Sequence, residues 1–264
     1  MLKISCRNFK ILSVFPAFCC LGILFFAGCG KNSSLPTQTL LNEALKDASS
    51  GRRDKALSNL EIVTRREPNN VAALIFKAVV YEGSGKDDLA VNTARLAVRA
   101  APKNFQAQYT LGRLYSKDQS KMQDAIPPLV RALELRPHDT NTLILLARCS
   151  SIFKLDSAIK YYTELAADKK FRKCAELWNE MGIYYAGRQQ VQKAAQCFVK
   201  AYKLDSSKPQ IVLNYATFAD YYAGESKRAV GFYKKYLAIT VPSPNFAAQR
   251  KRVEARIKEI EGNG

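Results

Sequence analysis

The stretch Trp178-Asn179-Glu180-Met181-Gly182-Ile183-Tyr184-Tyr185, followed by Ala194, Phe198 and Ala201, decides the fold. Trp178, Met181, Gly182 and Tyr185 recur at i, i+3, i+4 and i+7, which is one face of an α-helix. Ala194, Phe198 and Ala201 repeat that spacing on a second helix. Gly182 and Ala194 are both small, and helices that face each other through small residues bring their axes to roughly 8–10 Å. The stretch therefore predicts a tight antiparallel hairpin, with larger apolar residues filling its flanks.

The same pair of small residues recurs along the chain. Ala44, Ala78, Gly112, Ala147, Gly182 and Ala216 are spaced 34, 34, 35, 35 and 34 apart. Their partners on the second helices are Ala56, Ala90, Ala125, Ala158, Ala194 and Ala229. Proline closes several units, at Pro68, Pro102, Pro137 and Pro242, where it stops a helix and starts a turn. A period near 34 residues is that of a helical-hairpin array.

These residues resemble the tetratricopeptide repeat family. The fifth unit is the nearest to its pattern, and the second and third follow with Tyr81 and Tyr115 at the aromatic place. The first unit has Asp47 there, the fourth has Ser150 and no closing proline, and the sixth fits with a one-residue slip. The fold expected is all-α, an α-solenoid of about six helical hairpins over 37–242, divided near 37–70, 71–104, 105–139, 140–173, 174–208 and 209–242. Residues 243–264 should form a capping helix, because Phe246, Val253, Ile257 and Ile260 share one face and a solenoid end needs cover. A basic amphipathic helix on a membrane surface is the competing reading of that segment.

The N-terminus has a different composition. Lys3, Arg7 and Lys10 precede an uncharged run over 11–28, the layout of a secretory signal. The run ends in Phe26-Ala27-Gly28-Cys29 and is followed by a polar segment. This resembles a bacterial lipoprotein signal, which implies cleavage after residue 28, acylation of Cys29 and a short linker over 29–36. Phe26 stands where that family prefers leucine. An uncleaved anchor or a plain secretory signal are the alternatives; all three would export the array. Gly30 after the cysteine lacks the aspartate of inner-membrane retention, so the resemblance implies the outer membrane, facing the periplasm.

Charge and chemistry narrow the function. Without residues 1–28 the chain keeps 38 cations against 23 acids, a net charge of +15. That favours acidic partners or anionic headgroups near the anchor. Nucleic acid, the other usual partner of such charge, is not expected behind an export signal and without a base-reading motif. The run Lys169-Lys170-Phe171-Arg172-Lys173 stands where a closing proline is missing, with its cations placed to complement a helix dipole. His138 is the single histidine, and there is no C-x-x-C or glycine-rich phosphate loop. No enzyme, metal, cofactor or small-molecule substrate is expected. Once the leader is gone and Cys29 is acylated, Cys149, Cys174 and Cys197 remain, and no disulfide is expected to join them.

The repeat resemblance implies a protein–protein scaffold that holds a peptide or helix in a concave groove. The groove places are the second, fifth, ninth and twelfth of each first helix. They include Tyr109, Arg113, Ile144, Arg148, Asn179 and Ile183, which suit an acidic or amphipathic segment. Arg113 and Arg148 should be exposed there. Six repeats on a lipid anchor also resemble the type IV pilus pilotins, and outer-membrane assembly lipoproteins share the layout.

Overall fold

The computed structural model describes residues 34–241 and 244–262, and every regular element in them is helical. The signal, Cys29 and Pro242 lie outside the described residues. Two compact units divide at Ala158/Ile159, inside one helix.

The first unit contains α1 (Thr37–Ser49) to α7 (Thr140–Ile152), and α8 (Ser157–Ala167) begins in it. α1 pairs with α2 (Arg53–Arg66), α3 (Val71–Gly83) with α4 (Asp87–Ala100), and α5 (Phe105–Tyr115) with α6 (Ile126–Leu135). Each hairpin then packs on the next, and the first helices α3 and α5 touch directly. The small pairs lie where the period puts them: Ala44, Ala56, Ala78, Ala90, Ala125 and Ala147 are fully buried.

Junctions between hairpins share one chemistry. Glu67, Ala101 and Arg136 precede the prolines and leave the helical region, with φ of −128°, −145° and −135°. Proline enforces this on its predecessor. Two residues past each proline, Asn70, Asn104 and Asp139 accept from the backbone N–H of Ala73, Ala107 and Thr142 at 2.9, 3.0 and 2.9 Å. Each is an N-cap worth about 1 kcal/mol to its helix.

The third hairpin departs from the regular pattern. Its turn runs through a 3₁₀ segment, Met122–Ala125, before Pro127 and Pro128 open α6. Ala125 therefore sits in that segment rather than in the second helix.

The second unit contains α9 (Ala175–Ala186), α10 (Val191–Leu204), α11 (Pro209–Tyr221), α12 (Ser226–Ile239) and α13 (Pro244–Gly262). α9 pairs with α10 and α11 with α12, and the first helices α9 and α11 touch. Phe198, Tyr202, Tyr215, Phe218 and Phe232 form its aromatic centre, with Tyr215 and Phe232 ring centroids 4.5 Å apart. α13 lies on α12 through Val253 and Ile257, both buried. Asp220, wholly buried, takes Arg256 Nε and Nη2 of α13 at 2.8 and 2.9 Å. Ser226 Oγ and Tyr233 Oη donate to the same carboxylate.

Gly182 is tight for a reason other than the one its pairing with Ala194 suggests. A Cβ on Gly182 would stand 2.8 Å from the Phe198 ring, one turn beyond Ala194. On Gly112 a Cβ would stand 2.5 Å from Leu129 Cγ. The bulky neighbour lies across the glycine. Cys149 and Cys197 are free and buried, whereas Cys174 is disulfide-bonded, which departs from the expectation of no disulfide.

Candidate peptide-binding groove

The fifth and ninth repeat places recur at the same register on each first helix, and α3 meets α5 and α9 meets α11 directly. In the first unit these places hold Leu41 and Leu45 on α1, Ile75 and Val79 on α3, Tyr109 and Arg113 on α5, and Ile144 and Arg148 on α7. Leu45 is exposed, and Leu41, Ile75, Val79, Tyr109 and Ile144 are half-buried. Tyr109 is held flat against Phe105, ring centroids 5.8 Å apart. The Arg136 guanidinium covers the Phe105 ring at 4.1 Å.

The two arginines differ from their expected exposure, and from each other. Arg113 is half-buried and engaged: Nη1 and Nη2 donate to Glu82 Oε1 and Oε2 at 2.6 and 2.5 Å. Lys117 Nζ reaches the same carboxylate at 2.5 Å. Burial alone would raise the Glu82 pKa, but these donors outweigh it and hold the carboxyl below its usual range. The physical reason lies in the repeat register. Glu82 holds the twelfth place of one first helix, and the ninth place of the next comes alongside it.

Arg148 occupies the corresponding place one hairpin later, but residue 116 there is serine. Its Nη2 donates to the Ser116 carbonyl at 2.8 Å, while its Nε is buried without an acceptor. Arg148 thus carries a charge that no carboxylate offsets among the described residues.

In the second unit Asn179 is not a groove surface. It is buried, and its Oδ1 accepts from Asn214 Nδ2 at 3.0 Å, which ties α9 to α11. Ile183 is exposed.

The basic run after α8 is partly structural. Phe171 is buried, and Arg172 Nη2 donates to the Ala167 carbonyl at 3.1 Å. The Arg172 carbonyl accepts from Trp178 Nε1 at 2.9 Å. Among the described residues no cluster could hold a metal, and no helix is long and apolar enough to cross a membrane.

Sequence reasoning overlooked Leu41, Leu45, Ile75 and Val79, although the same register names them. It weighted the cations and passed over the aliphatic residues at equivalent places.

Stacked hairpins with small residues at their crossings and one face of first helices define a tetratricopeptide-repeat α-solenoid. Residues 41–105, spanning two hairpins, match the tetratricopeptide repeat family model. The curated proteins contain no match to it. Its fold is similar to a tetratricopeptide repeat protein from Parabacteroides merdae, at TM-score 0.64 and 16% identity, covering 89% of this chain and 94% of that one. It is also similar to YrrB, described as a TPR protein with an unusual peptide-binding site, at TM-score 0.61 and 21% identity, covering 67% and 90%. PilW, described as a widely conserved type IV pilus biogenesis factor, aligns at TM-score 0.60 and 16% identity, covering 83% and 98%.

Proposed function

We propose that this chain is a non-catalytic scaffold, tethered by a lipid on Cys29 to the periplasmic side of a bacterial outer membrane. Its first unit would hold an amphipathic segment of a partner protein. One observation carries the groove: four consecutive first helices place aliphatic or aromatic side chains at the fifth position, and Arg148 closes the row with an uncompensated charge. Apolar side chains of the guest would fill the row, and a guest carboxylate would answer Arg148. Desolvated anchors of this kind dominate peptide affinity.

Arg113 does not serve as an anion receptor in this reading, because Glu82 already neutralises it. The guest is therefore more apolar than the net charge suggests, with its acidic group at the α7 end. The peptide-binding description of YrrB supports the same use of the fold.

Selection of peptides on the full chain, followed by titration, tests this. Leu45→Lys and Ile144→Lys should each weaken a selected peptide about tenfold or more, and Arg148→Glu should select against acidic guests. Peptides that bind all three variants as they bind the parent chain would overturn it.

Pilus biogenesis is the second reading. It is favoured by the similarity to PilW together with the signal-like leader, and by the pilotin layout of hairpins behind an anchor.

A further inference from the structure

The second helices of the second unit carry cations without acids. α10 holds Lys193, Lys200 and Lys203; α12 holds Lys227, Arg228, Lys234 and Lys235; neither contains an aspartate or glutamate. Residues 159–264 have 19 Lys and Arg against 10 Asp and Glu, an excess of 9, whereas 34–158 have 18 against 13, an excess of 5. The two helices adjoin: Lys235 Nζ donates to Tyr202 Oη at 2.8 Å, and the Tyr202 and Phe232 rings meet edge to face at 5.4 Å.

Three of these lysines rest on rings rather than on carboxylates. Lys193 lies over Tyr185 at 5.5 Å, Lys200 over Trp178 at 3.5 Å and Lys235 over Tyr202 at 4.5 Å. A ring orients the ammonium but leaves its charge uncancelled. The carboxylates that do reach this face come from outside both helices: Glu225 pairs with Arg228 at 2.8 Å, and Glu261 with Lys234 at 2.7 Å. Both pairs are solvent-exposed, so a partner can displace them at little cost.

At the centre of the α12 cations stands Gly231. Lys227 and Lys235 are four residues away on either side, and Arg228 and Lys234 three, so all four surround it on the helix surface. Gly231 is exposed, and a Cβ there would meet nothing within 4 Å. Packing inside the chain therefore gives no reason for glycine in the middle of this helix, where it is less favourable than alanine. A bare spot on a helix permits close approach by another rigid backbone, and small residues at a crossing are what bring helix axes together.

We propose that the outer face of α12 docks an acidic helix of a partner protein, crossing at Gly231 with its carboxylates beside Lys227, Arg228, Lys234 and Lys235. The site is separate from the groove and does not depend on it. Charge complementarity names the partner's chemistry. The glycine distinguishes a helix from an anionic bilayer, because fluid headgroups rearrange around a Cβ and gain nothing from its absence.

The test uses the full chain in detergent and two probes. One is a labelled helical peptide with glutamates at i, i+3, i+4 and i+7 around a central alanine; the other is vesicles of phosphatidylcholine with phosphatidylglycerol. The chain should bind the peptide, and Lys227→Glu with Lys234→Glu should weaken it by about tenfold or more. Gly231→Leu, which leaves the charge unchanged, should weaken it several-fold while raising the melting temperature, so misfolding cannot explain the loss. The proposal is overturned by any of three results: no peptide binding, equal binding by the Gly231→Leu chain, or equal binding of a proline-interrupted peptide of the same charge. Vesicle capture that falls with charge reversal but ignores Gly231→Leu, in a chain that does not bind the peptide, would assign the face to a lipid surface instead.

Discussion

Arg113 grips Glu82 with both guanidinium nitrogens across 31 residues of sequence, and this one fork ties α5 to α3. Glu82 and Arg113 side chains are 11% and 21% exposed, so water cannot replace the fork well. Arg113→Ala should destabilise the first unit by about 1–3 kcal/mol, since it strips a buried carboxylate of its main partner. The pair also carries a pH signature. Glu82 has its folded pKa lowered, so its stabilisation is complete above the ordinary carboxylate range and fades as pH falls through the folded value. Melting curves across acid pH should show a shallower acid limb in Arg113→Ala than in the parent chain. Parallel limbs would show that the fork contributes nothing to acid stability.

Gly182 and Phe198 form a second testable pair. Gly182→Leu should lower stability by about 1–3 kcal/mol or more, because the added side chain must displace the Phe198 ring. Shrinking the ring relieves that clash, so in thermal melts Gly182→Leu should cost less in a Phe198→Ala background than in the parent. Additive losses would place the conflict elsewhere.

Asp220 fixes the C-terminal helix. Its carboxylate is wholly buried and takes donors from α12 and α13. Arg256→Ala removes its principal partner and should cost about 3–5 kcal/mol, the usual penalty for a stranded buried charge. Hydrogen exchange should then quicken across α13 and α12 and leave α9 much less affected. Uniform loss of protection over the second unit would argue that α13 is not held by this contact alone.

Cys29 is the proposed lipid site. Cys29→Ser should leave the precursor uncleaved by the lipoprotein peptidase and remove acyl chains from the mature species by mass spectrometry. Each buried CH₂ is worth about 0.8 kcal/mol, so attachment through acyl chains would be lost with them. An unmodified Cys29 in the parent protein would refute the anchor.

The fold was legible because its determinant is steric and periodic. Ala44, Ala78, Ala147 and Ala216 must be small wherever two helices cross, and the spacing follows directly from the hairpin. The N-caps were passed over in the sequence, although Asn70, Asn104 and Asp139 each stand two residues after a proline. Turn conformation was legible only in part. Gly51, Gly85 and Gly224 adopt positive φ in their turns, and glycine announces that. Lys154 and Gln189 do the same at 54° and 58°, with nothing in their side chains to signal it.

The groove was legible as a set of places but not as a set of charges. Arg113 and Arg148 share a repeat position, yet one is neutralised and the other is not. The difference lies in residue 82 against residue 116, and only contact between neighbouring hairpins reveals it. Asn179 was misplaced for a related reason: its amide is engaged by Asn214 one hairpin later.

The prolines and capping residues at the first three junctions bear on how the chain acquires its shape. Each cap lies three residues from the N–H it serves, and the side-chain ties between hairpins in the first unit join residues no more than 35 apart. No contact of that kind waits for a distant segment to arrive. Chains rich in such short-range closure fold fast, because little loop entropy is lost before a contact forms. A chain emerging from a narrow channel N-terminus first could therefore close one hairpin while the next is still threaded, with its aliphatic face exposed only briefly.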